Sequence, residues 1–181
     1  MDPVTSECDP VTWPVRRSCN RRKEKRVERS LIILKPDAVQ RRLIGRIIQR
    51  FEDKGFAVVG MKLLQMSREL AERHYAPHKG KPFYPGLINY ITSGPVVVMV
   101  LQGDRCIEIV RTLMGETFGY EAHPGTIRGD FGVSRTYNLV HGSDSPESAA
   151  TEIALFFSED ELIDYAPAGG EWVFMPDDVQ E

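Results

Sequence analysis

Ser30-Leu31-Ile32-Ile33-Leu34-Lys35-Pro36-Asp37 marks the point where order begins in this chain. Four large apolar residues in a row read as a short buried strand, and Lys35-Pro36-Asp37 closes it. Outward from there, Leu43, Ile44, Ile47, Ile48 and Phe51 recur at helical spacing, with Gly55 as the stop. Phe56 to Met66 reads as a second strand. Ser67 is placed to cap a helix running through Glu72 toward Tyr75. Pro82 to Ile91 reads as another helix, and Pro95 to Leu101 as a third strand. Ile107, Val110 and Met114 mark the helix after it. From Gly115 to about Thr136 the pattern is irregular, and a loop that long inside a compact domain points to function. Tyr137 to Val140 reads as a fourth strand ending at His141. Ser145 and Pro146 then start a last helix with Ala149, Ile153 and Phe156 or Phe157 inward. Strands alternating with helices predict a helix-covered sheet of α/β or α+β type, in one domain without repeats.

The bulk properties narrow the function. The chain has 181 residues, 41% hydrophobic and 27% charged, which suits one globular domain with a sizeable core. No apolar run reaches the ~20 residues a membrane span needs. Cys8, Cys19 and Cys106 are odd in number and form neither a disulfide framework nor a zinc spacing, so a reducing cytoplasm is expected. Residues 1–29 carry eight Lys/Arg against five Asp/Glu; the rest of the chain carries fifteen against twenty-one. The basic segment has three prolines and no apolar stripe, and it is expected to be a disordered, solvated extension. It lacks the apolar stretch of a secretory signal, and Asp2, Glu7 and Asp9 argue against a transit peptide. An acidic domain repels phosphates, so anion binding there needs a local basic pocket.

Chemistry concentrates in Asn138-Leu139-Val140-His141-Gly142-Ser143-Asp144-Ser145. An imidazole followed by glycine, two hydroxyls and a carboxylate, just before a helix N-terminus, reads as a histidine presented to a phosphate, with Gly142 leaving room for a bulky ligand. No Gly-x-x-x-x-Gly-Lys-Ser/Thr or Gly-x-Gly-x-x-Gly loop is present, which disfavours P-loop and dinucleotide enzymes. Side-chain cations would therefore have to hold phosphates. Lys35 sits where the first strand ends, Arg111 on the helix leading to Gly115-Glu116-Thr117, and Arg128 among glycines in the long loop. Each is equally readable as a solvated charge when taken singly. Phe83 could stack on a base or simply pack a helix; Asn138 could bind ribose hydroxyls and Thr117 a phosphate.

Taken together, the segments Leu34 to Val39, His74-Tyr75, Lys81-Pro82-Phe83, Ser93 to Val97, Gly115-Glu116-Thr117, Pro124 to Phe131 and His141 to Ser145 resemble, in order, those of the nucleoside diphosphate kinases. The resemblance spans about residues 29–174. It implies a ferredoxin-like αβ sandwich of α+β class, with a four-stranded antiparallel sheet covered by helices, over residues 30–181. It implies a ping-pong transfer of the terminal phosphate of a nucleoside triphosphate, chiefly ATP, to a nucleoside diphosphate through phosphorylated His141. In that scheme Lys35, Arg111, Thr117 and Arg128 hold phosphate, Phe83 stacks on the base, Asn138 meets the sugar and Tyr75 lies beside the phosphates. Ser143 and Glu152 support the histidine, Glu152 by holding the second ring nitrogen. The resemblance also implies Mg²⁺ carried by the nucleotide, with Asp144 the one candidate direct ligand and no dedicated metal cage. It further implies a homo-oligomer, tetramer or hexamer, for which the stretch from Tyr165 is a candidate interface arm. Nucleic acid and membrane are disfavoured as partners. Two other readings use the same residues: a protein-histidine phosphodonor, and a non-catalytic nucleic-acid-binding regulator supported by the basic run Arg16 to Arg29.

Overall fold

The computed structural model describes residues 27–173. The expected disordered extension lies outside them up to residue 26, as does the end of the chain from residue 174. Four strands form one sheet: β1 (Val27–Leu34), β2 (Ala57–Gln65), β3 (Pro95–Asp104) and β4 (Val140–Gly142). Their order is β2-β3-β1-β4, and every neighbouring pair is antiparallel. Between them lie α1 (Pro36–Gln40), α2 (Ile44–Glu52), α3 (Arg68–His74), α4 (Tyr84–Ile91), α5 (Cys106–Met114), α6 (Ile127–Phe131) and, after β4, α7 (Pro146–Phe156). This is the ferredoxin-like α+β arrangement.

The continuous apolar runs of β1 and β3 have a simple cause: these central strands are covered on both faces. Ile32, Leu34, Val97 and Met99 face Ile47 and Phe51 of α2 and Val110 and Met114 of α5. Leu31, Ile33, Val98 and Val100 face Ala71 of α3, Ile88 and Ile91 of α4, and Phe156 of α7. Alternate side chains thus fill two separate cores.

Several boundaries differ from the sequence reading, each for a physical reason. β1 starts three residues before Ser30, because Val27, Glu28 and Arg29 still pair with Asp104, Gly103 and Gln102. Polar residues are tolerated there at the exposed end of the strand. The short α1, with Pro36 in its first turn, was read only as a strand stop. The long loop contains α6, whose start is fixed by the Thr126 hydroxyl accepting from the Gly129 amide at 3.0 Å. The caps Ser67 and Ser145 stand where expected, accepting from Leu70 N and Ser148 N, each at 3.1 Å.

β4 is the most consequential difference. It comprises Val140–Gly142, so His141 lies in the strand rather than after it. Residues 138 and 139 fall outside the strand because the chain folds back on itself there: the Val140 amide donates to Asn138 O at 2.7 Å and the Arg128 Nε to the same oxygen at 3.0 Å, while the Lys35 amide still meets Leu139 O at 2.8 Å. Leu139 has φ 66, a left-handed conformation that costs a non-glycine residue about 1 kcal/mol or more. Asp37 Oδ2 accepts its amide at 3.2 Å and holds it there. Asp37 also accepts from the Tyr90 hydroxyl, tying α1 to α4.

Candidate active site

β4 sets the direction of the histidine. Val140 and Gly142 point to the α5 core, and His141, opposite Ile33 in register, points to the face covered by α3, α4 and α7. There its ring meets His74 edge-on, with centroids 4.8 Å apart, and Tyr75 at 6.4 Å. The space beside Gly142 is not left for a ligand. A Cβ there would meet Met114 Sδ at 2.7 Å and Val110 Cγ1 at 3.2 Å, so the glycine lets α5 pack closely on the sheet.

One ring nitrogen is engaged. His141 Nε2 lies 3.0 Å from Glu152 Oε1, and Ser143 donates its hydroxyl to Glu152 Oε2 at 2.6 Å. Ser143 is fully buried and also accepts the Leu31 amide at 3.1 Å, so β1 anchors the pair. Burial pushes the Glu152 carboxyl up, but the hydrogen bond and charge of His141, with Ser143, outweigh it and hold it below its ordinary value. An ionised Glu152 accepting from Nε2–H selects the tautomer whose Nδ1 carries the lone pair. Among the described residues Nδ1 has no hydrogen-bond partner, and His141 lines a large open cleft of about 1750 Å³. That volume holds a nucleotide with room to spare.

Nine of the ten predicted site residues line this cleft: Lys35, Tyr75, Phe83, Arg111, Thr117, Arg128, Asn138, His141 and Glu152. Ser143 lies behind Glu152. Phe83 is 55% exposed at the lip, where His78 meets it edge-on at 5.7 Å, so it is not a helix-packing residue. Arg111 and Thr117 are exposed in the cleft. Tyr75, by contrast, is buried, and its hydroxyl has no partner among the described residues.

Lys35, Asn138 and Arg128 form a connected floor. The Lys35 ammonium donates to Asn138 Oδ1 at 2.6 Å, and the Asn138 amide donates to Thr117 O at 3.1 Å. Arg128 donates to Gly115 O at 2.8 Å and Val140 O at 2.7 Å besides Asn138 O. Its fork therefore clamps the long loop onto β4, a structural duty the sequence did not reveal. Burial, then the Arg128 charge, hold the Lys35 ammonium down to about 7 against the pull of Asp37. Burial and Arg111 lower Arg128 to about 10, which leaves it charged at neutral pH. Two cations are thus held close together with no carboxylate among the described residues hydrogen-bonded to either, an arrangement that an anion relieves.

Reading the sequence missed His74 as an individual. It is buried at the end of α3, packed edge-on against Tyr75 at 4.5 Å and Phe156 at 5.4 Å, and neither ring nitrogen has a hydrogen bond. Burial, helped by the charge of His141, lowers it to about 3, so the ring is neutral. A lone histidine at a helix end carries no signal for such a position. The α7 N-terminus is also less open than expected. Ser148 Oγ donates to Asp144 Oδ1 at 2.6 Å and accepts from Ser145 N at 3.0 Å, so the first turn is capped from within.

Fold and site are those of an antiparallel αβ enzyme with an oriented histidine in a cation-lined cleft. The profile of the nucleoside diphosphate kinase family matches residues 28–162. The nucleoside diphosphate kinase of Carboxydothermus hydrogenoformans is 57% identical over 148 residues, 82% of this chain and 99% of that protein. That of Archaeoglobus fulgidus is 53% identical over 148 residues, 82% and 98%. Among solved structures, a halophilic nucleoside diphosphate kinase from Halobacterium salinarum in complex with CDP superposes with a TM-score of 0.80 at 49% identity, covering 82% of this chain and 99% of its own. The Babesia bovis family protein gives 0.78 at 44%, covering 81% and 99%. This chain belongs to the nucleoside diphosphate kinase family and is an enzyme of that type.

Proposed function

We propose that this chain moves the terminal phosphate of ATP to other nucleoside diphosphates through a phosphohistidine on His141, and so balances nucleoside triphosphate pools. The observation that carries the reading is the 3.0 Å pairing of His141 Nε2 with Glu152, which leaves Nδ1 as the nucleophile on the cleft side. Nδ1 attacks the γ-phosphorus, the bond to the leaving diphosphate oxygen breaks, and the imidazolium that forms is stabilised by Glu152. A second diphosphate enters the same cleft and attacks the phosphorus in turn, returning the histidine. Lys35, Arg111 and Thr117 hold the phosphates, with Arg128 adding charge from behind. The Asn138 amide meets the sugar, and Tyr75 walls the phosphate site. An exposed Phe83 gives a stacking face without base-edge hydrogen bonds, which suits acceptance of many bases. The CDP complex of the halobacterial relative supports a nucleotide in this cleft.

The residues fit Mg²⁺ only through the nucleotide. Asp144, in the lining of the cleft, would be its direct carboxylate ligand, kept ionised chiefly by the Ser148 hydroxyl. The ion would neutralise phosphate charge. No helix among the described residues is long and apolar enough to cross a membrane. We place the enzyme in the cytoplasm as a homo-oligomer, tetramer or hexamer. The apolar Met61 (56%) and Leu63 (64%) exposed on edge strand β2 support assembly. Residues 27–173 make one catalytic domain, preceded in the sequence by a basic segment.

Initial rates with ATP and a second diphosphate, each varied against the other, test the scheme. Parallel double-reciprocal lines are expected. Intersecting lines would mean that both nucleotides bind at once, and the shared-site mechanism would fail.

A further inference from the structure

His74 is the buried group that this mechanism does not use. Its side chain is 1% exposed, and both ring nitrogens lack a hydrogen bond among the described residues. A buried polar group left unpaired is costly, so something should compensate it. It does not stand alone. Its Nδ1 lies 3.9 Å from Glu152 Oε1, the oxygen that also meets His141 Nε2 at 3.0 Å. One ligand atom from each of His74, His141 and Glu152 falls within 4.8 Å of the other two. Two imidazoles and one carboxylate are the donor set of a three-ligand zinc site with an open fourth position. Tetrahedral bonds of about 2.0–2.1 Å place ligand atoms roughly 3.3 Å apart, so closing the set needs a movement of about 1.5 Å, mainly of His74. The cleft that His141 and His74 both line supplies the entry path and room for a water as the fourth ligand.

We propose that His74, His141 and Glu152 form an inhibitory binding site for Zn²⁺ or a similar borderline divalent ion. The consequence for chemistry follows from proton placement. In the free enzyme the Nε2–H of His141 faces Glu152 and Nδ1 holds the lone pair. Zinc takes the Nε2 lone pair, and the displaced proton moves to Nδ1. Nδ1–H has no pair with which to attack phosphorus, so the bound ion locks the wrong tautomer. His74 contributes an existing lone pair and gains the partner it lacks. Mg²⁺, which demands oxygen ligands, does not compete for this nitrogen-rich set. Inhibition rests on the phosphohistidine reading, whereas metal uptake does not.

Calorimetric titration of the full-length protein with Zn²⁺ alone, in nucleotide-free and phosphate-free buffer, tests uptake. One equivalent is expected, unaffected by excess Mg²⁺. His74→Phe keeps an aromatic ring against His141 and removes both nitrogens, and Glu152→Gln keeps volume and removes the carboxylate. Each should weaken binding at least ~100-fold, since even indirect partners of a ligand are worth 10–100-fold. If His74→Phe does not fold, Glu152→Gln and a Co²⁺ titration decide, with intense visible bands expected from a tetrahedral cobalt site. No stoichiometric uptake, or uptake unchanged in the variants that fold, overturns the site. With free Zn²⁺ fixed by a metal buffer, phosphorylation of the wild type by ATP should stop and return on chelation. Phosphorylation that continues at saturating zinc overturns the inhibition. A protein that binds zinc yet is never phosphorylated even without it retains the metal site and loses the kinase mechanism instead.

Discussion

Lys35 carries an ammonium where burial and Arg128 disfavour it, with its ordinary value of 10.5 lowered to about 7. The sign of the consequence is fixed by linkage. Between about pH 7 and 10.5 the unfolded chain binds the extra proton, so this group's destabilising effect is complete below 7 and fades as pH rises. Lys35→Met should therefore raise thermal stability at pH 6, by on the order of a few kcal/mol, while abolishing phosphotransfer. A melting curve and a rate assay on the same sample check both halves; a destabilised variant would mean that the Asn138 hydrogen bond outweighs the buried charge. Lys35 stands out in the sequence at the end of the first apolar run, and His141 in its cluster of glycine, hydroxyls and a carboxylate; Phe83 came from the resemblance, since its spacing alone favours helix packing. His74 was not legible, because a buried neutral imidazole is defined by what surrounds it and not by its spacing. Arg128 was half legible. Its loop setting was visible, but its fork is spent largely on backbone carbonyls that only the fold brings near.

β4 and its approach decide where His141 points. The strand is three residues long, is paired only with β1, and follows a left-handed Leu139. Alternation from Gly142 then fixes the histidine on the opposite face from α5. Gly142→Ala adds a methyl against Met114, Val110 and Ile32. It should cost about 1–3 kcal/mol as overpacking, seen as a lower urea midpoint at unchanged slope. A neutral result would show that α5 can retreat, and that the glycine is not needed for packing. The strong elements were readable from periodicity and capping: β1, β3, α2, α5 and α7. The residues of β4 were read as ending at His141 because apolar alternation stops there. What extends the strand through Gly142 is backbone pairing with β1, and what shortens it at the front is the fold-back at the left-handed Leu139, held by Asp37 and Arg128.

At the scale of the molecule, the sheet places one histidine between two cores and opens a cation-lined cleft over it. All the groups of this site lie within residues 35–152, so removing residues 1–26 should leave phosphotransfer within about twofold in a rate assay. A loss of activity on that deletion would mean that residues 1–26 take part in phosphotransfer. The antiparallel sheet was not legible from the apolar runs alone, which fit α/β and α+β equally well; the resemblance supplied a four-stranded antiparallel sheet, and the antiparallel pairing of β1 with both β3 and β4 bears it out. The whole scheme turns on whether phosphate rests on His141. Brief exposure to γ-labelled ATP, quenching, and division of the sample between acid and base reads this directly. The label should be acid-labile, base-stable and transferable to an added diphosphate, and His141→Ala should carry none. Label that survives in His141→Ala, or that resists acid, would contradict it.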